Sequence, residues 1–198
     1  CGSSPGTSPV HLEAARALAH AFHKANITLV YGGGTVGMMG EVARTLVSLS
    51  GPDSVRGIIP SALQKREQNG IDEATFGRTT IVKDMHTRKA LMAKAVIEGG
   101  PGGGFIALSG GYGTLEELME ITTWNQLGIH GMGVVVFNVE GFWGGLLEWV
   151  RTAVSGGFIS PSNGGILVEA LSAEECVSAL REYRVSDGRY TGLQWDEQ

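Results

Sequence analysis

The chain has 198 residues, 42% of them hydrophobic, and a formal net charge of -5. That length and apolar share suit one globular domain with a full core, and the acidic balance argues against nucleic acid or an anionic membrane as partner. Cys1 and Cys176 make no disulfide framework, no apolar run is long enough to span a bilayer and no secretory signal is visible, so a cytoplasmic protein is expected.

Strand and helix signals alternate along the chain. Cys1-Gly2-Ser3-Ser4 reads as the end of a strand running into a loop, so a truncated first strand is expected. Val10, Ala14, Ala17, Leu18, Ala21 and Phe22 recur at helical spacing, with Ser8 and Pro9 as start signals and Asn26 as the stop. A buried strand over Ile27–Tyr31 leads through Gly32-Gly33-Gly34-Thr35 into a helix from about Met38 towards Leu49. Val55–Ile59 is the next strand, stopped by Pro60, and the polar stretch from Ser61 to Gly77 is expected to be an irregular loop over the site. Thr79–Val82 is a strand, after which Asp84 caps a helix carrying Met85, Leu91, Met92 and Val96. The glycine-rich connection Gly99–Gly104 precedes a strand over Phe105–Leu108 and a helix over Thr114–Leu127. A strand over Gly133–Phe137, a helix marked by Leu146, Leu147, Val150 and Val154, a strand over Ile166–Val168 and a helix over Ala173–Tyr183 follow, with a polar tail from about residue 185.

Apolar strands without alternation, separated by helices, indicate an α/β, Rossmann-like fold: a mostly parallel sheet with helices on both faces, in one domain spanning 1–198. Ligands of such sheets sit beyond the C-terminal ends of the strands, where the strand order reverses. Both glycine-rich loops lie at such ends.

The second loop, Ser109-Gly110-Gly111-Tyr112-Gly113-Thr114-Leu115-Glu116-Glu117, is the most informative stretch. Its glycines leave N–H groups open to an anion, and the helix that follows adds positive potential, so the loop suits a phosphate. Glu116 and Glu117 would repel a phosphate and make more sense one sugar away, beside a ribose carbon. Thr114 and Glu117 also satisfy a capping box, and the segment alone is compatible with both roles.

Two further segments matter. Gly32, Gly34 and Gly37 match the dinucleotide fingerprint, and Asp53 stands about twenty residues on, which would suggest NAD or NADP. However, Asp53 falls in a turn before a strand and not at the end of one. In Asp84-Met85-His86-Thr87-Arg88-Lys89 two cations lie near the start of a helix, against its dipole, which hints at function. Arg88 suits a phosphate, ribose hydroxyls or a facing carboxylate, Lys89 suits the same or a solvated surface, and Met85 suits packing on a planar base. No metal-ligand spacing occurs among the five histidines and two cysteines, and no G-x-S-x-G elbow is present.

Taken in order, Tyr31–Gly40, Lys65-Arg66-Glu67, Met85–Lys89, Gly110–Glu117 and Thr123–His130 resemble the Lonely Guy family of cytokinin-activating phosphoribohydrolases, and the likeness covers nearly the whole chain. The resemblance implies a Rossmann-like fold, removal of the base from cytokinin riboside 5'-monophosphates, no cofactor, and a homodimer or higher homo-oligomer. It matches Arg88 and Glu117 to the family's catalytic pair. It matches Glu67, Lys89, Gly110, Gly111, Tyr112, Gly113, Thr114, Leu115, Glu116 and Thr123 to substrate-contacting positions. Gly33, Gly34 and Thr35 join Gly111 and Gly113 as expected phosphate contacts, and Met85 as a contact to the base. Relatives often carry the label lysine decarboxylase, but no lysine here stands in a recognisable Schiff-base site. Ser109 and Lys65 replace prolines of the family pattern. The rival readings are a broader AMP or nucleoside monophosphate glycosidase, and a non-catalytic nucleotide or cofactor carrier on the same fold.

Overall fold

The computed structural model describes residues 1–67, without the Glu67 side chain, and 72–195. Helix α1 (Val10–Ala25) buries Ala15, Leu18, Ala19, Ala21 and Phe22 on one face. It ends where Asn26 turns left-handed at φ 54° and Ile27 N–H bonds back to the Phe22 carbonyl, a closure that Asn tolerates better than most residues. Strand β1 (Leu29–Tyr31) leads into α2 (Gly37–Ser50), and a 3-10 turn at Pro52–Ser54 leads into β2 (Val55–Pro60).

The stretch expected to be irregular is not. Helix α3 (Ser61–Glu67) follows β2 directly, and a single turn, α4 (Glu73–Phe76), precedes β3 (Arg78–Val82). Ala62, Leu63, Gln64, Lys65 and Arg66 are all good helix formers, and polarity masked that preference. Asp72 caps α4 by accepting from Thr75 N–H at 3.1 Å. Residues 68–71 of the expected loop lie outside the described residues.

The second half repeats the alternation: α5 (Met85–Glu98), β4 (Gly104–Ala107), α6 (Tyr112–Gln126), β5 (Gly133–Phe137), α7 (Gly144–Ser155), β6 (Leu167–Ala170) and α8 (Ala173–Arg181). Asp84 caps α5 as the sequence implies, accepting from Thr87 N–H at 2.7 Å. Every strand ladder is parallel. β5 explains the unbroken apolar run: Val135 and Phe137 join the core beneath α1, α2 and α8, while Val134 and Val136 join a second core with Leu118 and Trp143, so both faces are covered.

The sheet is divided, where a single one is expected. The strands pair as β1-β2-β3 and β4-β5-β6. The edges of β1 and β4 face each other across an apolar cavity of about 480 Å³ lined by Leu29, Tyr31, Phe105 and Ile106 among others. Cys1 joins the edge of β4, donating from its nitrogen to Ile106 O at 2.8 Å and accepting from Leu108 N–H at 2.9 Å. The strand order departs in opposite directions from this point, which places the loops after β1 and β4 at the switch point of the fold.

Candidate functional site

Three strand ends build the site. The loop after β1 carries Gly32, Gly33 and Gly34, all buried, with Gly33 at φ 76°. Gly32 is needed for a different reason: a Cβ there would lie 1.7 Å from Arg88 Nη2. The first glycine loop is thus the bed on which the Arg88 guanidinium lies. Thr35 is half-buried at the far end of that loop.

The loop after β4 is different in kind. α6 starts at Tyr112 with Gly111 as its cap, so Thr114 is the third helical residue and not the cap. Its hydroxyl is buried without a hydrogen-bond partner among the described residues, lying close against Gly110. Glu117 therefore takes no part in a capping box. Gly111, Tyr112, Gly113, Leu115 and Glu116 are exposed, Tyr112 at 95%, and the first turn of α6 holds no acid. An exposed N-terminus of a 15-residue helix, with no cap from its own side chains, suits an anion.

Between the two loops runs Cys1–Ser4. Ser3 O accepts from Met38 N–H at 2.8 Å and Ser3 Oγ accepts from Gly111 N–H at 3.2 Å, so one residue stitches both helix starts together. Sequence reasoning assigned Ser3 no role. The only available signal was a small polar run after a strand end.

The third strand end supplies the charge. Arg88 is 4% exposed. Its Nη2 lies 3.5 Å from Glu117 Oε1, its Nη1 donates to Met85 Sδ at 3.6 Å, and its Nε has no hydrogen-bond partner among the described residues. A charge-assisted contact normally closes to about 2.7–2.9 Å, so this buried cation is under-paired, and such groups require further partners. Glu117 keeps 17% of its side chain exposed. Met85 is partly exposed beside the pair.

Lys89 has a distinct role. Its ammonium donates to Glu116 at 2.6 Å and Glu120 at 3.0 Å, tying α5 to α6. Burial works against the lysine charge, but the hydrogen bonds to Glu116 and Glu120 outweigh it and hold its pKa above the ordinary value. Thr123 lies on the same face as Glu116 and Glu120, about 16 Å along the helix from Tyr112 at the usual rise per residue, with its hydroxyl turned back to Met119 O. Glu67 closes α3, and its side chain lies outside the described residues.

The dinucleotide alternative loses its acid. Asp53 sits in the turn before β2, at the N-terminal end of that strand and not at the C-terminal ends that carry the glycine loops, and pairs with Arg78 at 2.8 Å. Among the described residues no helix is long and apolar enough to cross a membrane.

The chain is thus a parallel α/β protein that carries an exposed helix start and a buried arginine–carboxylate pair at its switch point. A family model described as "Possible lysine decarboxylase" matches residues 39–180. The chain is 51% identical over 201 residues to a "Bifunctional cytokinin biosynthesis protein" of Fusarium pseudograminearum, covering 98% of this chain but 41% of that protein. It is 46% identical over 198 residues to the cytokinin riboside 5'-monophosphate phosphoribohydrolase LOG7 of Arabidopsis thaliana, covering 100% of this chain and 86% of that one. Among solved structures, the molybdenum cofactor binding protein of Rippkaea orientalis matches with a TM-score of 0.61 at 19% identity, over 89% of this chain and 90% of that one. The Moco carrier protein of Chlamydomonas reinhardtii matches with a TM-score of 0.61 at 16% identity, over 92% and 93%. At those identities the likeness is one of fold. The chain belongs to the Lonely Guy family.

Proposed function

We propose that this chain hydrolyses the N-glycosidic bond of cytokinin riboside 5'-monophosphates, releasing the free cytokinin and ribose 5-phosphate. The relatives named for that activity support the reading. The observation that carries it is the Arg88–Glu117 pair: a buried guanidinium with spare N–H capacity facing a carboxylate, beside an exposed helix start.

The 5'-phosphate sits over the N-terminus of α6, against Gly110, Gly111, Tyr112, Gly113 and Thr114, with the Gly33-Gly34-Thr35 loop as the opposite wall. Arg88 reaches the ribose from that wall, and Met85 and Leu115 pack on the base. As the bond from C1' to the base nitrogen lengthens, positive charge develops on the ribose. Glu117 stabilises that charge and takes a proton from the water whose oxygen bonds to C1'. The base leaves with its bonding electron pair and gains a proton at nitrogen, so the net change is addition of one water. A carboxylate preorganised in a water-poor site acts on this step more strongly than one in solvent. Glu67, Lys89, Glu116 and Thr123 complete the substrate-contacting set, the Lys89 ion pairs also holding the helix of Glu117 in place. The reading includes a homodimer or higher homo-oligomer, supported by the half-buried Trp124 and Leu127 on and just beyond α6, and a cytoplasmic setting, supported by the unpaired thiols of Cys1 and Cys176.

The test is incubation with isopentenyladenosine 5'-monophosphate and, separately, AMP, with chromatography of the products. Free isopentenyladenine released faster than adenine supports the reading. Equal or faster release from AMP assigns a broader nucleotide glycosidase, and tight AMP binding without any ribose 5-phosphate assigns a carrier.

A further inference from the structure

A second polar constellation stands behind the exposed glycine loop and has no part in the chemistry above. His11 in the first turn of α1, Ser109 just after β4 and Glu140 in the turn after β5 converge from three elements. Ser109 Oγ lies 3.0 Å from His11 Nδ1, and His11 Nε2 lies 3.7 Å from Glu140 Oε2. Ser109 is 7% exposed and the His11 side chain 13%. The Ser109–His11 contact is a hydrogen bond in either ring tautomer, with Nδ1 accepting from the Ser109 hydroxyl or donating to it, and Glu140 faces the far side of the ring.

The arrangement is held from behind. Glu140 adopts φ 52°, a left-handed conformation unfavourable for a residue with a side chain. Asn138 braces the turn: its Oδ1 accepts from Trp143 N–H at 2.6 Å, its N–H donates to Ala170 O at 2.8 Å, and its side-chain amide donates to Glu169. The Phe142 ring from the same turn meets the His11 ring edge-on, with centroids 6.1 Å apart. The imidazole is therefore confined by a packed ring, a carboxylate and a hydroxyl.

Ser109 is the last residue before Gly110-Gly111, whose far side is held by the Ser3 hydroxyl on Gly111 N–H. Glycines have no side chains to hold them, so the loop depends on what grips its two flanks. We propose that His11, backed by Glu140, is a positioning residue for this loop: through Ser109 it fixes the exposed amides over which the ligand's phosphate sits. The phosphate rests on the nucleotide reading above, but the grip on the loop does not.

The experiment has two arms on the full chain. In the ligand-free protein, hydrogen exchange of the peptide spanning residues 108–116 should accelerate about three- to tenfold in His11→Ala, the loss of one net hydrogen bond. His11→Asn, whose side-chain amide offers both an acceptor and a donor in place of Nδ1, should restore it. Ser109→Ala, which removes only the hydroxyl, should match His11→Ala, and the double variant should be no worse than either. With isopentenyladenosine 5'-monophosphate, His11→Ala should raise KM by a similar factor and leave kcat within about twofold. Wild-type exchange rates in both His11→Ala and Ser109→Ala, or failure of His11→Asn to restore them, overturn the proposal. If the wild-type chain releases no base, the catalytic reading fails while the exchange arm still decides this one.

Discussion

In the proposed reaction Arg88 and Glu117 act as one unit. Among the described residues, Arg88 is buried with a single carboxylate at 3.5 Å and an unpartnered Nε, a poor solution for stability but a suitable one for gripping a polar ligand. Glu117→Gln and Arg88→Ala should each lower kcat/KM for isopentenyladenosine 5'-monophosphate by about a hundredfold or more, with unchanged circular dichroism. Glu117→Gln at near-normal turnover would remove the carboxylate from the mechanism. Gly32 makes a finer test. Its added methyl would collide with the end of the Arg88 side chain and not with backbone, so Gly32→Ala displaces the guanidinium while the fold adjusts at little cost. Misplacement of that order lowers turnover about ten- to a hundredfold, with a change in Tm under about 3 °C; a large drop in Tm would contradict it.

At the scale of elements, α6 carries both the anion seat and Glu117, so its placement decides the site. It is pinned near its start to α5 by Lys89 and near its end by His130. That imidazole is buried, donates from Nε2 to Ile121 O at 2.9 Å and accepts Met132 N–H on Nδ1 at 3.1 Å. Lys89→Met leaves Glu116 and Glu120 without their cation and should cost about 1 kcal/mol, a modest figure because Glu116 is half exposed. Because the folded-state pKa of Lys89 is raised, its contribution is complete below pH 10.5 and is lost as pH rises through the folded value. His130 works in the other direction. Burial lowers its pKa below 6.5, so the unfolded chain binds the proton more readily and stability falls as pH drops from 6.5 towards the folded value. Urea unfolding at pH 7 and pH 5 should show that loss in wild type and a smaller one in His130→Gln; equal losses would exclude His130 as the source.

For the whole molecule, much of the architecture was legible because parallel strands buried on both faces read as unbroken apolar runs; Gly133–Phe137 is the clearest. The N-terminus of α5 was legible because Asp84 uses its own side chain as a cap. Helix α3 was not, since its residues are polar and its seven-residue length carries no periodicity. Neither was the division of the sheet, which depends on which edges pair and not on composition. The meeting of Arg88 with a carboxylate of the second glycine loop was legible, from a violated helix rule and an acid beside that loop. Ser3 and the His11–Ser109 contact were not, because they join residues 108 and 98 positions apart. The capping role offered for Thr114 failed because glycine, with no side chain, had already taken the cap position. The proposed reaction requires the two loops and one helix to converge on a single sugar phosphate. A crystal structure of Glu117→Gln with isopentenyladenosine 5'-monophosphate bound tests it most directly. The phosphate is expected over Gly111 and Gly113, with C1' within about 4 Å of both the Gln side chain and Arg88. A phosphate seated elsewhere, or a C1' more than about 8 Å from either group, would contradict it.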